Sequence, residues 1–459
     1  MRTYNFRIYP REKHQKRMFK MFNNCKEVWN ELLVEKSNAW KENKINISSN
    51  ELDKIIVNHP KKKEWYKYNQ SHTLQNVSKR LIDSYTGFFS RCKNSSFKNK
   101  KKGYPKEKKK VFSFTFKEYE NGCKIIGNKL FLSKIGNICI IMHRKIPYDK
   151  ISTITIKRKP SGKWFACFSL DINNLEKEKL TKEELKQSID LSHPIGIDVG
   201  CSNIVNLSNN LQIPNPKYYI KSQKRLKMFQ RRVSRKHIKV GKKVFSNKSN
   251  NRRKAVIKLV RFHEKIDNQR DDFQHKLSSW FVKNFTFFAV EKLNISNMIK
   301  NHCLAKSIQD SSWGSLIQKI EYKSNGNMFK NPKTRYSSCK CCLCNNIQEN
   351  PLNKGMDNYI CETCENIIQK DWNASINHLK DVLDNLGFKI GIIKVNDVYF
   401  LEADNKIIQL NNNQIKYNDT VGHTEIKNTL VEKLPLLSCS RNKIVSNLVE
   451  TRNTSTNET

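Results

Sequence analysis

Apolar residues recur at different intervals along the chain, and each interval predicts a kind of element. Residues 4–10 read as a short strand that a proline closes. The apolar positions that follow are spaced by four and three, as on one packed face of a helix: Met18, Phe22, Cys25, Trp29 and Leu32. Another helix is predicted near residues 74–89, and the lysine-rich residues 93–110 predict a flexible basic loop.

Between residues 130 and 168 the apolar interval becomes two, which is typical of strands with one buried face. The alternating positions are Leu130, Leu132, Ile138, Ile140, Ile154, Ile156, Trp164, Ala166 and Phe168. Residues 160–162 read Pro-Ser-Gly and predict a turn before the last of these strands. We therefore expect a small β-barrel or sheet here, followed by a polar linker at residues 173–192.

Two later apolar runs each end in an acid, and a third acid opens an amphipathic segment. Asp198 lies in PIGIDVG, Glu291 in FFAVEKL, and Asp371 opens DWNASINHL, whose apolar positions suit a helix packed by one face. A carboxylate at the end of a buried strand needs a cation or a donor to offset its desolvation. Three acids from distant parts of the chain have the layout of a ribonuclease-H-like nuclease, in which carboxylates hold two divalent ions.

GIDVG by itself has another interpretation, since actin-like ATPases also begin with an acid between glycines. That fold needs a second phosphate-binding glycine loop, and the 15 glycines of this chain include none so arranged. The actin-like interpretation would also leave the cysteines unexplained.

Two CxxC pairs between the second and third acid predict a zinc site. Cys341 and Cys344 form one pair, and Cys361 and Cys364 form the other after sixteen intervening residues. Four thiolates leave no open position on the metal, so the zinc is expected to be structural. Cys339 and Cys342 make an overlapping CxxC pair, and the first half of the site could therefore be offset by two residues.

The charge of the chain points to nucleic acid as its partner. There are 86 Lys and Arg against 42 acids, a formal net charge of +44, and residues 217–276 alone hold 21 basic residues against four acids. An apolar stripe that continues through that region predicts a helix. A merely solvated helix would mix its charges, so the excess of basic residues favours a nucleic-acid-facing role. The predicted contacts are Arg231, Arg232, Arg235, Arg252, Arg253, Lys254, Lys258 and Arg261.

Several features predict an intracellular protein with no membrane partner. No run approaches the roughly 18 apolar residues of a membrane span, and the start of the chain lacks a secretory signal. Six of the 14 cysteines fall between Cys339 and Cys364, which suits metal-bound thiolates in a reducing compartment. The expected locations are the cytoplasm of a prokaryote, or a nucleus or viral factory.

The three acids, the zinc segment and the sequences at residues 251–278 and 311–323 resemble the TnpB and Fanzor proteins of insertion sequences. The resemblance covers roughly residues 1–380. It implies an RNA-guided DNA endonuclease with one RuvC-like site, related to the compact type V CRISPR effectors and often described as a transposase. Three departures are visible: Lys292 replaces a second acid, Lys370 replaces an arginine, and residues 324–336 are short.

The implied fold class is α/β plus β, with a RuvC-like nuclease domain and an inserted zinc ribbon, preceded by a β wedge domain that carries a helical lobe. The predicted domains are the β wedge at residues 1–10 and 111–172, the helical recognition lobe at 11–110, the linker at 173–192, the nuclease domain at 193–336 and 367–380, the zinc ribbon at 337–366, and a partly disordered C-terminal tail at 381–459.

In the implied mechanism Asp198 bridges two Mg²⁺ ions, and Glu291 and Asp371 complete the cage. The expected partners are a guide RNA, target double-stranded DNA and an element-encoded recombinase, in a role in transposition and recombination. No histidine has to act as a base, so the eleven histidines, including His263, His275 and His378, are assigned to packing or the surface. The alternative is a zinc-containing DNA- or RNA-binding protein of a mobile element that cuts poorly or not at all.

Overall fold

The structure of the protein is a computed structural model that describes residues 2–94, 103–171, 182–240, 243–246, 249–331, 337–348, 357–404, 406–411 and 417. The chain divides into two compact units, Met1–Lys179 with Arg225–Glu264 and Leu180–Lys224 with Lys265–Thr459. The first boundary lies inside the predicted linker. Residues 225–264, however, belong to the first unit and interrupt the range 193–336 that the sequence assigns to one domain.

A seven-stranded antiparallel sheet forms the core of the first unit. Its strands are β1 (Arg2–Tyr9), β2 (Ser113–Phe116), β3 (Cys123–Ile126), β4 (Lys129–Leu132), β5 (Gly136–Ile141), β6 (Ile151–Arg158) and β7 (Trp164–Leu170), with a 3₁₀ turn at Tyr148–Lys150. The spatial order is β2-β6-β7-β1-β5-β4-β3. The period-two prediction is confirmed, because all nine of its alternating residues are buried.

Four helices contribute to the same core: α1 (Glu12–Asn43), α2 (Ser49–Asn58), α3 (Lys62–Tyr68) and α4 (Ser71–Lys93). The stripe predicted for α1 is confirmed, since its five members are buried. Phe22 stacks on Trp164 of β7 with ring centroids 5.6 Å apart, which joins the helix to the sheet. The helical lobe and the β strands therefore share one apolar cluster.

The basic run at residues 93–110 is partly described. Residues 95–102 lie outside the described residues, and residues 103–110 run beside α1. Trp29 Nε1 donates to the Lys106 carbonyl at 3.1 Å, and Asn30 bonds to the backbone of Lys108 at 2.8 and 3.2 Å. This part of the predicted flexible loop is thus held against the helix.

A mixed five-stranded sheet forms the core of the second unit. It contains β8 (Pro194–Asp198), β9 (Asn203–Leu207), β10 (Gln212–Pro214), β13 (Phe287–Glu291) and β14 (Met328–Asn331) in the order β10-β9-β8-β13-β14. β8, β13 and β14 run parallel, whereas β9 and β10 are antiparallel to their neighbours. The parallel pairing matters for function, because it brings the last residues of β8 and β13 to the same edge of the sheet.

Seven further helices and a hairpin follow in the described chain: α5 (Lys182–Gln187), α6 (Tyr218–Ser234), α7 (Asn250–Asn284), α8 (Ile295–Met298), α9 (His302–Ser311), α10 (Trp313–Lys323) and α11 (Lys370–Asn385), with β11 (His237–Val240) pairing β12 (Lys243–Ser246). The apolar stripe of α7 is buried at Ile266, Phe273, Leu277 and Phe281. The predicted linker is not structureless throughout, since its residues 182–187 form α5.

Helix α11 lies directly on the five-stranded sheet, and a glycine makes this possible. A Cβ added to Gly196 in β8 would lie 2.0 Å from the Ser375 carbonyl oxygen and 3.0 Å from Leu379 Cβ. Only a residue without a side chain fits at this crossing. The first turn of α11 is thereby held beside the end of β8.

Past α11 the chain folds further than the sequence analysis expected. The ribbon strands β15 (Asn358–Ile360) and β16 (Ile367–Gln369) pair before α11, and β17 (Ile390–Val395), β18 (Val398–Ala403) and β19 (Lys406–Gln409) form an antiparallel sheet after it. Tyr399, Leu401 and Ala403 are buried in one cluster with Trp372 of α11. Residues 381–411 of the predicted tail are thus part of the folded second unit. The segment expected to be disordered, VETRNTSTNET, lies within residues 418–459, outside the described residues.

Within the described part of the chain, no helix is both long and apolar enough to span a membrane.

Candidate active site and metal centre

Two of the predicted acids lie at neighbouring strand ends. Asp198 is the last residue of β8, and Glu291 is the last residue of β13. The strands are parallel and paired, with Ile197 opposite Val290, so both carboxylates leave the same edge of the sheet. Carboxylate oxygens of these two acids and a ring nitrogen of His378 all lie within 4.8 Å of one another. Such a group can hold a cation.

The third predicted acid, Asp371, reaches the same region from α11. Its Oδ2 accepts a hydrogen bond from Asn206 Nδ2 at 3.2 Å, and Asn206 Oδ1 accepts one from Asn203 Nδ2 at 3.0 Å. Asp371 is not part of the group whose ligand atoms lie within 4.8 Å of one another. Asp198 nevertheless lies close enough for its charge to raise the pKa of Asp371.

Glu291 and Asp371 have raised pKa values. Burial is the main cause for the Glu291 carboxyl; His378 opposes that shift and Asp198 adds to it. Burial also raises the pKa of Asp371, with repulsion from Asp198 as the next cause and Lys370 acting against it. The charge of Asp198 thus raises the pKa of both other acids. A divalent cation beside these three groups would offset their desolvation and repulsion.

His378 is a member of the site that sequence reasoning missed. The side chain is fully buried, as the packing assignment allowed, but Nε2 lies 3.6 Å from Asp198 Oδ1. His263 and His275 are exposed, as expected. A signal was available, because His378 follows Asp371 by seven residues, which is two turns along the same face of a helix.

The structure brings together the four cysteines of the preferred zinc prediction. One sulfur from each of Cys341, Cys344, Cys361 and Cys364 lies within 4.8 Å of the others, with closest Sγ–Sγ distances of 3.5 and 3.6 Å. A tetrahedron with Zn–S bonds of about 2.3 Å has edges of roughly 3.8 Å, so the cluster fits zinc. Cys339 and Cys342, the overlapping pair, are buried and do not belong to this group.

The two halves of the cluster repeat one backbone turn. The Cys341 N–H donates to the Asn346 carbonyl at 2.9 Å, and the Cys361 N–H donates to the Asn366 carbonyl at 3.0 Å. The residue after the second cysteine of each pair, Asn345 or Glu365, has a positive φ of 64° or 53°. Two equivalent knuckles therefore present their sulfurs to one point.

Helix α11 holds this thiolate cluster through polar side chains. Asn373 Oδ1 accepts from the Cys342 N–H at 3.0 Å, while Asn373 and Asn377 both donate to the Lys340 carbonyl at 2.8 and 2.7 Å. Lys380 Nζ donates to the Cys342 carbonyl at 3.1 Å. The helix that carries Asp371 and His378 is thus also the platform for the first knuckle.

The predicted nucleic-acid contacts lie on α6 and α7, except for Arg235, which lies in the turn directly after α6. Seven of the eight side chains are exposed, and Arg252 is half-buried. A groove of about 530 Å³ in the first unit has Arg232, Arg235, Lys254 and Lys258 in its wall beside Phe229. A second groove of about 390 Å³ is lined by Arg252 and Arg253 together with Lys110, Phe112, Arg158, Pro160, Val256 and Ile257. Arg231 and Arg261 line neither groove.

Comparisons with known proteins match this arrangement segment by segment. Residues 190–302 match the OrfB family of IS605 elements, described as "Probable transposase". Residues 313–378 match the "Cas12f1-like, TNB domain", and residues 1–44 match the helix-turn-helix domain of the OrfB family. A "TnpB-like protein" of Methanocaldococcus jannaschii is 30% identical over 135 residues, 29% of this chain and 31% of that protein. The predicted resemblance to the TnpB family is confirmed.

Two longer relatives cover most of the chain. A candidate RNA-guided DNA endonuclease of Streptomyces pristinaespiralis is 27% identical over 82% of this chain and 88% of its own length. InsQ of Escherichia coli K12, which carries the same functional description, is 24% identical over 83% and 92%. A Cas12f1 chain solved with sgRNA and target DNA has a TM-score of 0.47 and 14% identity, over 80% of this chain and 82% of that one.

The family matches contain the residues of both clusters. The transposase match contains Asp198 and Glu291, and the TNB-domain match contains the four clustered cysteines, Asp371 and His378. Despite the name of the match at residues 1–44, its described residues form strand β1 and the single unbroken helix α1.

Proposed function

We propose that this chain is an RNA-guided endonuclease of a mobile element that cuts double-stranded DNA at one RuvC-like site. The observation that carries the proposal is the acidic cluster of Asp198 and Glu291 beside Asp371, inside segments that match the TnpB family. The relatives named as candidate RNA-guided DNA endonucleases support the guide RNA, and the family's association with insertion sequences supports an element-encoded recombinase as a further partner. Such cutting would take place inside a cell.

The donor set fits magnesium. Carboxylate oxygens are hard ligands of the kind that Mg²⁺ prefers, and the raised pKa values of Glu291 and Asp371 mark groups that gain from a bound cation. With both ions bound, the site supplies an activated water for attack on the phosphodiester and a stabilised leaving oxygen. Asp198 would hold such ions together with Glu291 and Asp371, since its charge contributes to the raised pKa of both other acids.

The remaining polar groups position these acids. Asn206 orients the Asp371 carboxylate through its amide, and Gly196 allows α11 to approach β8 closely enough for Asp371 to reach the sheet edge. The geometry of the three acids therefore depends on the contact between α11 and the sheet.

We further propose that the four thiolates hold one structural zinc ion. The sulfur spacing and the repeated knuckle turns support a closed tetrahedral site. Since the first knuckle is bonded to Asn373, Asn377 and Lys380, zinc would stabilise the surface on which α11 rests.

The exposed basic residues of α6 and α7 suit phosphate contacts with the guide RNA or the target DNA. Their grooves combine Arg and Lys side chains with aromatic ones, as surfaces that follow a nucleic-acid backbone do. Such contacts supply affinity that weakens with salt and carry no sequence readout.

The test is to purify the protein with its accompanying RNA and to assay a plasmid library for Mg²⁺-dependent cutting, beside Asp198→Ala. The exposed Asp149 offers a matched control, Asp149→Ala, which should cut like the parent. Cutting by the parent that Asp198→Ala loses would support the nuclease. Copurified RNA with no cutting by either protein would instead favour the binding-only alternative.

A further inference from the structure

The buried His378 faces the acidic cluster with an unpartnered ring nitrogen. Nε2 has no hydrogen-bond partner among the described residues, and it lies 3.6 Å from Asp198 Oδ1. The side chain has no exposed surface. A buried polar atom without a partner costs free energy. The position of Nε2, so close to the Asp198 carboxylate and yet unpartnered, therefore needs an explanation.

The other ring nitrogen determines which atom carries the proton. Nδ1 lies 3.3 Å from Asn331 Nδ2, and the same amide nitrogen lies 3.3 Å from Asp381 Oδ2. The reverse orientation of the amide would put its oxygen against the Asp381 carboxylate, which is repulsive. The Asn331 amide therefore donates to both neighbours, Nδ1 accepts, and the proton of the neutral ring resides on Nε2.

Asp381 is itself held by an ion pair with the first knuckle. Its Oδ1 lies 2.9 Å from Nζ of Lys340, which belongs to the first knuckle between Cys339 and Cys341. Asn331 is fully buried and Asp381 nearly so. A continuous polar chain thus runs from Lys340 through Asp381 and Asn331 to His378, and Asp198 is the next group along it.

We propose that His378 is a positioning residue of the nuclease site, whose Nε2–H donates to Asp198 Oδ1 and orients that carboxylate for metal binding. The present gap exceeds a hydrogen bond by a few tenths of an ångström, which a small rotation of either side chain closes. The inference rests on the proposed function, since it assigns Asp198 to the metal site. It also gives the thiolate cluster a second role, because Lys340 helps to determine the tautomer of His378.

Two substitutions separate donation from packing. His378→Leu removes the donor and keeps an apolar side chain of similar bulk, whereas His378→Gln places an amide N–H near the position of Nε2. His302→Gln, at an exposed histidine in the first turn of α9, is the matched control. Circular dichroism and zinc content would establish that each variant is folded.

Two readouts are needed: the single-turnover cleavage rate of the RNA complex at saturating DNA, and Mn²⁺ affinity by electron paramagnetic resonance on the zinc-loaded protein without DNA. Outer-shell partners of metal ligands commonly account for about 10- to 100-fold in metal affinity or activity. We expect His378→Leu to lose that factor in Mn²⁺ affinity and in cleavage rate with unchanged DNA binding. His378→Gln should recover most of both, and His302→Gln should match the parent.

Parental Mn²⁺ affinity in a folded His378→Leu variant would overturn the proposal. Equal losses in the Leu and Gln variants would also overturn it, because they would indicate a metal-ligating imidazole rather than a donor. The Mn²⁺ titration decides the question even for a parent that does not cut. Failure of the proposed function has a different signature, namely no cutting by the parent and no effect of Asp198→Ala on Mn²⁺ affinity.

Discussion

Replacing Gly196 by alanine tests the contact that assembles the acidic cluster. Gly196 lies in β8, two residues before Asp198, and a Cβ at this position would lie 2.0 Å from the Ser375 carbonyl oxygen of α11. That atom belongs to the helix backbone, so no side-chain rotation can relieve the overlap. The helix and the strand must therefore move apart.

The size of the movement follows from the contact distance. Ordinary van der Waals contact begins at 3.4 Å, so α11 must shift by about 1.4 Å from β8. Overpacking of this kind typically costs about 1–3 kcal/mol in stability. Misplacement of a catalytic group by about 1 Å can cost roughly 100-fold in rate. Asp371 and His378 both move with α11, so Gly196→Ala should lower cleavage by at least that factor while changing stability only moderately.

The assay pairs the single-turnover cleavage rate with thermal unfolding and zinc content. Gly87→Ala in α4 is the matched control, because a Cβ there meets only the end of the Arg91 side chain at 3.4 Å, and alanine favours a helix. A folded Gly196→Ala protein that cuts at the parental rate would refute the reasoning, since the acids would then not depend on the close crossing.

Three further predictions concern the metal site, the basic grooves and pH. Cys361→Ser with Cys364→Ser should abolish binding of the single zinc ion, measured by metal analysis. The unfolding temperature should also fall, because the knuckle that α11 contacts would lose its order. Full zinc retention would contradict the thiolate site. Lys254→Ala with Lys258→Ala should weaken nucleic-acid binding and flatten the slope of log affinity against log salt by about two units. The control is Lys300→Ala, at an exposed site in the second unit. An unchanged slope would indicate that Lys254 and Lys258 are solvated and contact no phosphate. The raised pKa of Glu291 means that the folded state binds its proton more tightly than the unfolded state, so in Mg²⁺-free buffer stability should fall as pH rises from the ordinary value of 4.5 through the folded value. Glu291→Gln should lessen that fall in thermal melts, and added Mg²⁺ should reverse it; an identical pH dependence in the variant would argue against the assignment.

Periodicity was enough to predict the elements that carry the site. The runs before Asp198 and Glu291 are apolar throughout because their strands are covered on both faces, and the structure buries them. The spacing of Cys341, Cys344, Cys361 and Cys364 likewise predicts a shared metal, since each CxxC pair is a local turn whose geometry depends on few other residues.

Periodicity failed where a residue's role depends on a distant partner. His378 reads as one more buried position of α11, and only the crossing at Gly196 turns that face toward Asp198. The sheet β17–β19 was missed for a related reason. Its strands are short and only partly buried, and Tyr399 has a partner in Trp372 that the local sequence does not indicate; their ring centroids lie 4.9 Å apart.

The sequence by itself indicated the strands and the helix that carry the three acids, the four clustered cysteines and the excess of basic residues, because these follow from local spacing, charge and the chemistry of side chains. The tertiary structure decided which strand ends are neighbours, which of the overlapping CxxC pairs joins the sulfur cluster, and that a histidine lies beside the acids. Those outcomes depend on strand order and on the close approach of one helix to one glycine. Both are set by packing between residues far apart in the chain, which no local pattern encodes.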